Sequence, residues 1–259
     1  MSELIRFDGR TEIVGVLDEE RLLSQPIAFV AGAHPDDDTL ANGGDIYLTD
    51  AGMAVVYLNF TFGDRRVLRN VSKEELRIRR PLEQRNAVRR KRGVMDIIYD
   101  YPDGELSSFE NDAISSAEVL VDELKPTLIL VPNQHDPHPD HASVNRIMKR
   151  AANGLIQVYG YDTPTGKDKY GNHVIFDFYL QVSDAVKALR DETYFGHKTQ
   201  TTDLPRNEKK DVQRVVRRPR QIGAAIGRKY AAGFTVEDPS LPNVFPDIVG
   251  RERVILRRR

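Results

Sequence analysis

The chain has 259 residues, 40% hydrophobic and 30% charged, with a formal net charge of -1 at pH 7. That length and apolar content suffice for a buried core in one or two domains and exclude a disordered tail, and 18 Gly and 14 Pro exclude collagen-like or low-complexity character. The absence of Cys excludes a disulfide scaffold, a Cys nucleophile, an iron–sulfur cluster and any thiolate site, so a metal here needs His, Asp or Glu ligands.

The first ten residues lack the apolar core of a signal peptide, and no run approaches ~18 apolar residues. A cytoplasmic protein without a membrane helix is expected. The apolar run 27–31, between Pro26 and Gly32, reads as a buried strand. A helix over 43–50 stops at Gly52, and 54–60 is the next strand, rich in β-branched and aromatic residues. Ser72 with Glu75 three residues on forms a capping box. The helix it opens runs to about Arg92, with Pro81 inside expected to kink or split it. A strand over 96–101, a helix over 113–124, a strand over 127–131 and a helix over 142–152 follow. Strands over 155–161 and 174–182 and a helix over 184–197 complete the regular pattern, with a polar loop or hairpin tip over 162–173. The charged stretch 201–220 is weakly patterned and reads as a mobile loop over a site. Strands alternating with helices imply βαβ units and a mostly parallel sheet with helices on both faces. No linker divides the chain, so one domain over 1–259 is expected.

Positive charge clusters locally. Arg77, Arg79, Arg80, Arg85, Arg89, Arg90, Lys91 and Arg92 lie on one helix, Arg214, Arg217, Arg218 and Arg220 form a second group, and Arg257, Arg258 and Arg259 end the chain. These read as a solvated helix face and a charged tail. A nucleotide- or nucleic-acid-binding module lacks the motifs it needs: no G-x-G-x-x-G follows the first strand and no Walker loop is present.

Two segments carry chemistry. Gly32-Ala33-His34-Pro35-Asp36-Asp37-Asp38 follows the first strand, and His135-Asp136-Pro137-His138-Pro139-Asp140-His141 follows the strand over 127–131. Each therefore sits at the carboxyl end of a strand, where open α/β sheets bind ligands. If the two strands are neighbours, the segments face one another across one crevice. His34 and Asp37 are three residues apart, as are His138 and His141, so each pair shares a face on a helical first turn. A His/Asp/His set with an open position is the arrangement of a catalytic zinc site, which lowers the pKa of a water towards ~7 and polarises a carbonyl. Asp36 suits a general base, and His138 oriented by Asp140 suits stabilisation of an oxyanion or protonation of a leaving amine. Taken singly, each of these residues is more often a cap or a turn residue than a ligand, and His135 reads as a surface residue. Their joint occurrence in a chain with six His is what favours the site.

Here the residues resemble a family. Ala33-His34-Pro35-Asp36-Asp37-Asp38 with Gly43-Gly44 resembles the AHPDDE…GG signature of the LmbE-like / PIG-L zinc-dependent N-deacetylases, and His138-Pro139-Asp140-His141-Ala142 resembles that family's HPDHxA. Tyr101-Pro102-Asp103-Gly104 resembles its YPDG turn, His197-Lys198-Thr199-Gln200 its late HKSQ segment, and the stretch from Arg228 to Phe234 a C-terminal segment. The resemblance covers about residues 27–236. It implies a Rossmann-like parallel sheet and one Zn2+ per chain held by His34, Asp37 and His141; iron, cobalt or nickel suit the same ligands. It implies Asp36 as the base, His138 as stabiliser of the tetrahedral intermediate with Asp140 as its partner, and Asp103 and Arg80 as substrate contacts. Asp38 stands where the family usually has Glu; it is one methylene shorter at a position expected to contact substrate or a neighbouring loop. The implied activity removes the N-acetyl group from an N-acetylglucosamine-type sugar or glycoconjugate, by attack of the metal-activated water on the amide carbonyl. The implied partner is that small molecule, not nucleic acid or a membrane, and trimers or hexamers are expected. Alternatives are an amidase acting on a sugar–thiol conjugate, which shares the centre, and a non-catalytic sugar binder, against which the presence of Asp36 and His138 argues.

Overall fold

Strand and helix alternate along the first part of the chain: β1 (Thr11–Val16), α1 (Glu19–Ser24), β2 (Ile27–Gly32), α2 (Gly44–Asp50), β3 (Ala54–Thr61), α3 (Lys73–Arg90), β4 (Met95–Tyr101), α4 (Glu110–Leu124), β5 (Leu128–Pro132), α5 (Pro139–Ala151) and β6 (Gln157–Tyr161). The remainder forms β7 (Phe178–Gln181), α6 (Asp184–Gly196), α7 (Lys198–Thr201), α8 (Lys209–Ala225), β8 (Ala231–Val236), α9 (Phe245–Val249) and β9 (Val254–Leu256). The structure, a computed structural model, describes residues 11–65, 71–204 and 209–257. The expectations for the first ten residues and for Arg258 and Arg259 fall outside them. No helix among the described residues is long and apolar enough to cross a membrane.

The described strands form one sheet in the order β1-β4-β3-β2-β5-β6-β8-β7-β9. The five strands β4-β3-β2-β5-β6 are mutually parallel. Antiparallel pairing appears only outside them, at β1 on one side and through β8, β7 and β9 on the other. The parallel strands are apolar runs because both faces are covered. Alternate residues serve two cores: Ala28 and Val30 of β2 join Ile46, Val88, Val186 and Val215, whereas Phe29 and Ala31 join Leu120, Val144 and Ile147 on the other face.

The chain proceeds from β2 outward through β3 and β4 on one side, and from β5 outward through β6 on the other. The order therefore reverses between β2 and β5, which pair directly in parallel, Ala28 opposite Leu128. Their carboxyl ends form the crevice that this topology reserves for ligands.

Four local expectations change. Pro81 does not split α3, which runs unbroken from Lys73 to Arg90 with the Ser72 hydroxyl capping Glu75 N–H at 3.1 Å. The basic face is also less solvated than its composition implies: Arg80 and Lys91 are each 2% exposed, and Arg77 pairs with Asp64 and Asp100 at 3.1 and 2.6 Å. The helix after β5 begins at Pro139, three residues before the expected start at 142, because proline's fixed φ suits a first helical position. That places His141 on its first turn and His138 at its cap. The stretch 201–220 is not a loop over its described part: α8 buries Val212, Val215, Pro219 and Ile222, a helical spacing masked by the surrounding charge.

Candidate metal centre

The segment after β2 turns sharply back on itself. A 3-10 turn over Asp37–Ala41 follows it, and Gly32 makes the turn possible: a Cβ there would sit 2.7 Å from the Cβ of Asp37. Asp36 takes φ of 109°, a left-handed conformation uncommon for a residue with a Cβ and of the kind that persists where surrounding structure enforces it. The Asp37 Oδ2 accepts the N–H groups of Ala33 and His34 at 2.8 and 2.9 Å, which fixes the carboxylate. The segment after β5 brings α5 alongside, so that three imidazoles converge. Ring centroids lie 4.9 Å apart for His34 and His138, 5.4 Å for His34 and His141, and 4.7 Å for His138 and His141.

His34 Nδ1 lies 3.4 Å and His141 Nε2 lies 3.2 Å from the Asp37 carboxylate. The outer nitrogen of each ring is held by a further carboxylate: His34 Nε2 by Asp103 at 3.0 Å and His141 Nδ1 by Asp136 at 3.0 Å. A carboxylate behind each imidazole, with the other nitrogens turned to a shared centre, is how proteins orient histidine ligands. The nitrogen and oxygen donors of His34, Asp37 and His141 all lie within 4.8 Å of one another. The set therefore fits a divalent transition metal, with no thiolate required.

Electrostatics follow from this crowding. Burial pulls both ring pKa values down, but neighbouring carboxylates win. Asp37 with Asp103 and Asp140 lifts His34 well above the usual imidazole value, and Asp37 with Asp136 lifts His141 to about 10. Asp37 is held well below the carboxylate range against its burial by the two imidazoles. Burial and the charge of Asp37 push Asp36 up to about 7. Burial and the two neighbouring imidazoles push His138 down to about 4.

A cavity of about 490 Å³ opens on this cluster, with His34, Asp36, Asp37, Arg80, Asp103 and His138 among its walls. Gly63 admits Arg80 at close range, its carbonyl accepting from the guanidinium. Two expected partnerships differ. Asp140 does not orient His138, whose Nδ1 has no hydrogen-bond partner; it accepts the N–H groups of Gly104 and Leu106 at 2.6 and 3.2 Å. Asp140 thereby holds the turn that carries Asp103. Asp38 does not reach the cavity. It is 4% exposed and engages Lys91 Nζ and, at 3.2 Å, Gln84 Nε2. The Lys91 ammonium also donates to Asp45 at 2.9 Å, and Tyr57 Oη donates to the same carboxylate at 3.0 Å. The expected substrate contact of Asp38 is thus replaced by a place in a buried ionic network. Asp103 does line the cavity, but its carboxylate is engaged by His34 and by Arg65 N–H at 2.7 Å.

Sequence reasoning missed Asp136, Arg65 and Gln200 as parts of the site. Asp136 was available as the acid five residues before His141 in the same segment. Gln200 belongs to the HKTQ segment: His197 of that segment is 1% exposed in the core, whereas Gln200 lines the cavity. Arg65 carries no sequence signal. His135 is exposed, as expected for a surface residue.

Residues 29–152 match the family described as PIG-L, GlcNAc-PI de-N-acetylase. The fold superposes on N,N'-diacetylchitobiose deacetylase from Pyrococcus horikoshii with a TM-score of 0.64 and 19% identity, covering 83% of this chain and 85% of that one. It superposes on a deacetylase of the teicoplanin biosynthesis pathway with a TM-score of 0.62 and 15% identity, covering 83% and 100%. It also superposes on the 4-carboxy-2-hydroxymuconate hydratase of Pseudomonas putida KT2440 with a TM-score of 0.64 and 17% identity, covering 84% and 98%. At these identities the likeness establishes a shared fold, and one of the three carries a different chemistry on it.

Proposed function

We propose that this chain is a metal-dependent hydrolase that removes the N-acetyl group from an N-acetylglucosamine-type sugar or glycoconjugate, a reading supported by the match of residues 29–152 to the family described as PIG-L, GlcNAc-PI de-N-acetylase. The observation that carries this reading is the pair of carboxylate-backed imidazoles, His34 with Asp103 and His141 with Asp136, converging on Asp37 at the β2–β5 switch point. His34, Asp37 and His141 would hold a zinc ion. When bound, zinc supplies Lewis acidity, lowering the pKa of a water towards ~7 and polarising a carbonyl.

The chain's own residues supply the rest. Asp36 borders the cavity beside Asp37, and its carboxylate takes a proton from the attacking water. His138 lies edge-on to His34 across the same space and donates to the carbonyl oxygen as negative charge develops there. Collapse of the tetrahedral adduct returns a proton to the nitrogen from Asp36 or His138, giving a carboxylate and a free amine. Arg80, Arg65 and the Gly63 and Gly104 backbones line the outer part of the cavity and suit the hydroxyl-rich amine half.

The test is metal content together with amine release. Untagged protein is loaded with zinc, assayed by elemental analysis, and offered N-acetylglucosamine, its malate and inositol conjugates, and diacetylchitobiose. About one zinc per chain with amine released from a panel member is the expected result. Protein that takes up no metal after zinc is added back overturns the assignment, and so does metal-loaded protein that releases no amine from these amides or from their longer-acyl analogues.

A further inference from the structure

A second cavity, of about 140 Å³, adjoins the first on the side of α6 and α8. The two share Asp36, Asp37, Pro164 and Gln200 as common walls. Their other walls differ in kind. The outer cavity is bordered by Arg65, Arg80, Asp103 and three imidazoles. The inner one is bordered by Leu40, Tyr194, Leu204, Val212 and Val215, with Asp211 at its rim paired to Arg214 at 2.7 Å.

A cleft between two packed elements keeps its width when a rigid group holds them apart. Here the prop is Arg190, only 2% exposed. Its Nε donates to the Thr39 carbonyl at 3.2 Å and its Nη2 to the Val215 carbonyl at 2.9 Å, so one guanidinium spaces the turn after β2 from α8. Gln200 is fixed as well. Glu83 accepts the N–H and the hydroxyl of Thr199, at 3.2 and 2.5 Å, and so pins the short α7 against α3.

We propose that this inner cavity is an acyl pocket and that the enzyme's preferred substrate carries a four- to six-carbon acyl group rather than acetyl. The proposal rests on the hydrolase reading above. An amide cleaved beside Asp36 and Asp37 has one half in each cavity. The polar outer cavity suits the sugar amine, which leaves the apolar inner one to the acyl chain. An apolar cavity of about 150 Å³ accommodates a benzene ring, whereas an acetyl methyl leaves most of such a space empty. A single methylene in an apolar pocket changes kcat/KM by roughly 10-fold or more.

The experiment uses zinc-loaded full-length protein and glucosamine carrying N-acetyl, N-propionyl, N-butyryl or N-hexanoyl groups. Butyrate and acetate binding are measured alongside by isothermal titration. The wild type is expected to hydrolyse the butyryl or hexanoyl amide with kcat/KM about tenfold or more above acetyl, and to bind butyrate more tightly than acetate. Val215→Phe, which fills the cavity, lowers the butyryl-to-acetyl ratio about tenfold. Leu204→Ala, which enlarges it, raises the hexanoyl-to-butyryl ratio, and circular dichroism confirms that each variant is folded. Butyrate bound no more tightly than acetate overturns the pocket whatever the hydrolysis result. Acetyl preferred by the wild type, with the ratio unmoved in both variants, also overturns it while leaving the hydrolase standing. Failure to release amine from every amide overturns the hydrolase reading, and with it the pocket's role in catalysis.

Discussion

Asp37 and Asp38 are adjacent in one five-residue turn, yet they belong to different worlds. Asp37 faces two imidazoles, His34 and His141, at the edge of a 490 Å³ cavity. Asp38 faces Lys91 and Gln84 in a sealed network with Asp45 and Tyr57. Both carboxylates are buried, and both have partners of opposite sign. They differ in what those partners leave open: the ligand cluster keeps donor atoms turned to a shared centre, whereas the network beneath is closed on itself by one ammonium. Charge in the first region serves chemistry, and charge in the second fixes the turn that presents it.

The largest effect separating the two regions is expected at the cavity. Asp36→Asn, an asparagine being tolerant of a left-handed backbone, should lower kcat by about 10²–10⁴ while leaving about one metal per chain. Steady-state rates and elemental analysis check this; activity within a few-fold of wild type would remove Asp36 from the base role. In the network, Lys91→Met strands two buried carboxylates and should cost about 3–5 kcal/mol in urea unfolding, since breaking a buried pair leaves charge uncompensated. A loss below about 1 kcal/mol would mean that the network is not a structural unit.

A third variant sharpens the contrast through pH. Asp96, near Lys91, is fully buried with neither carboxylate oxygen hydrogen-bonded, and burial pushes it up to about 7 against the pull of Arg85 and Lys91. The folded protein therefore retains a proton that the unfolded chain releases near pH 4. This group's contribution to stability falls by about 1.4 kcal/mol per unit as pH rises from about 4 to about 7, and is flat above that. Asp96→Asn should remove that decline, so its advantage over wild type grows from pH 5 to pH 7 and then levels off in denaturant titrations. An advantage independent of pH would contradict the assignment. The smallest effect is expected behind the cluster. Asp136→Asn keeps the shape but weakens the carboxylate's hold on His141, and should reduce zinc affinity about 10–100-fold in a competitive chelator titration. Unchanged affinity would mean that Asp136 only stabilises the loop.

Much of this arrangement was legible in the sequence. The apolar runs that became β2, β3, β4 and β5 are short and bounded by Gly, Pro or charge, and the two His/Asp segments fall directly after two of them. The direction in which each side chain points was not legible. Asp38 was read with its neighbours as a cavity residue because nothing in a run of three aspartates says which one a short 3-10 turn rotates inward. Asp140 was paired with His138 by proximity in sequence, but on the first turn of α5 it meets the Gly104 turn, a contact set by how β4 and β5 lie across the sheet. The antiparallel strands β8, β7 and β9 are short and joined by charged segments, so their periodicity is weak. The helix α8 was hidden because its buried residues are outnumbered by arginine and lysine.

The pairing of β2 with β5 has a consequence for how the protein folds. His34 and Asp37 reach the centre from one strand end and His141 from the helix that follows the neighbouring strand, so His141 is far from the other two in the unfolded chain and meets them only once those strands are neighbours. An ion held between them would select the native state over the unfolded one and act as a reversible staple across the switch point. Free metal at about a thousand times the dissociation constant would add about 4 kcal/mol of stability. A chelator would then lower the melting temperature and loosen first the joint between the two halves of the sheet.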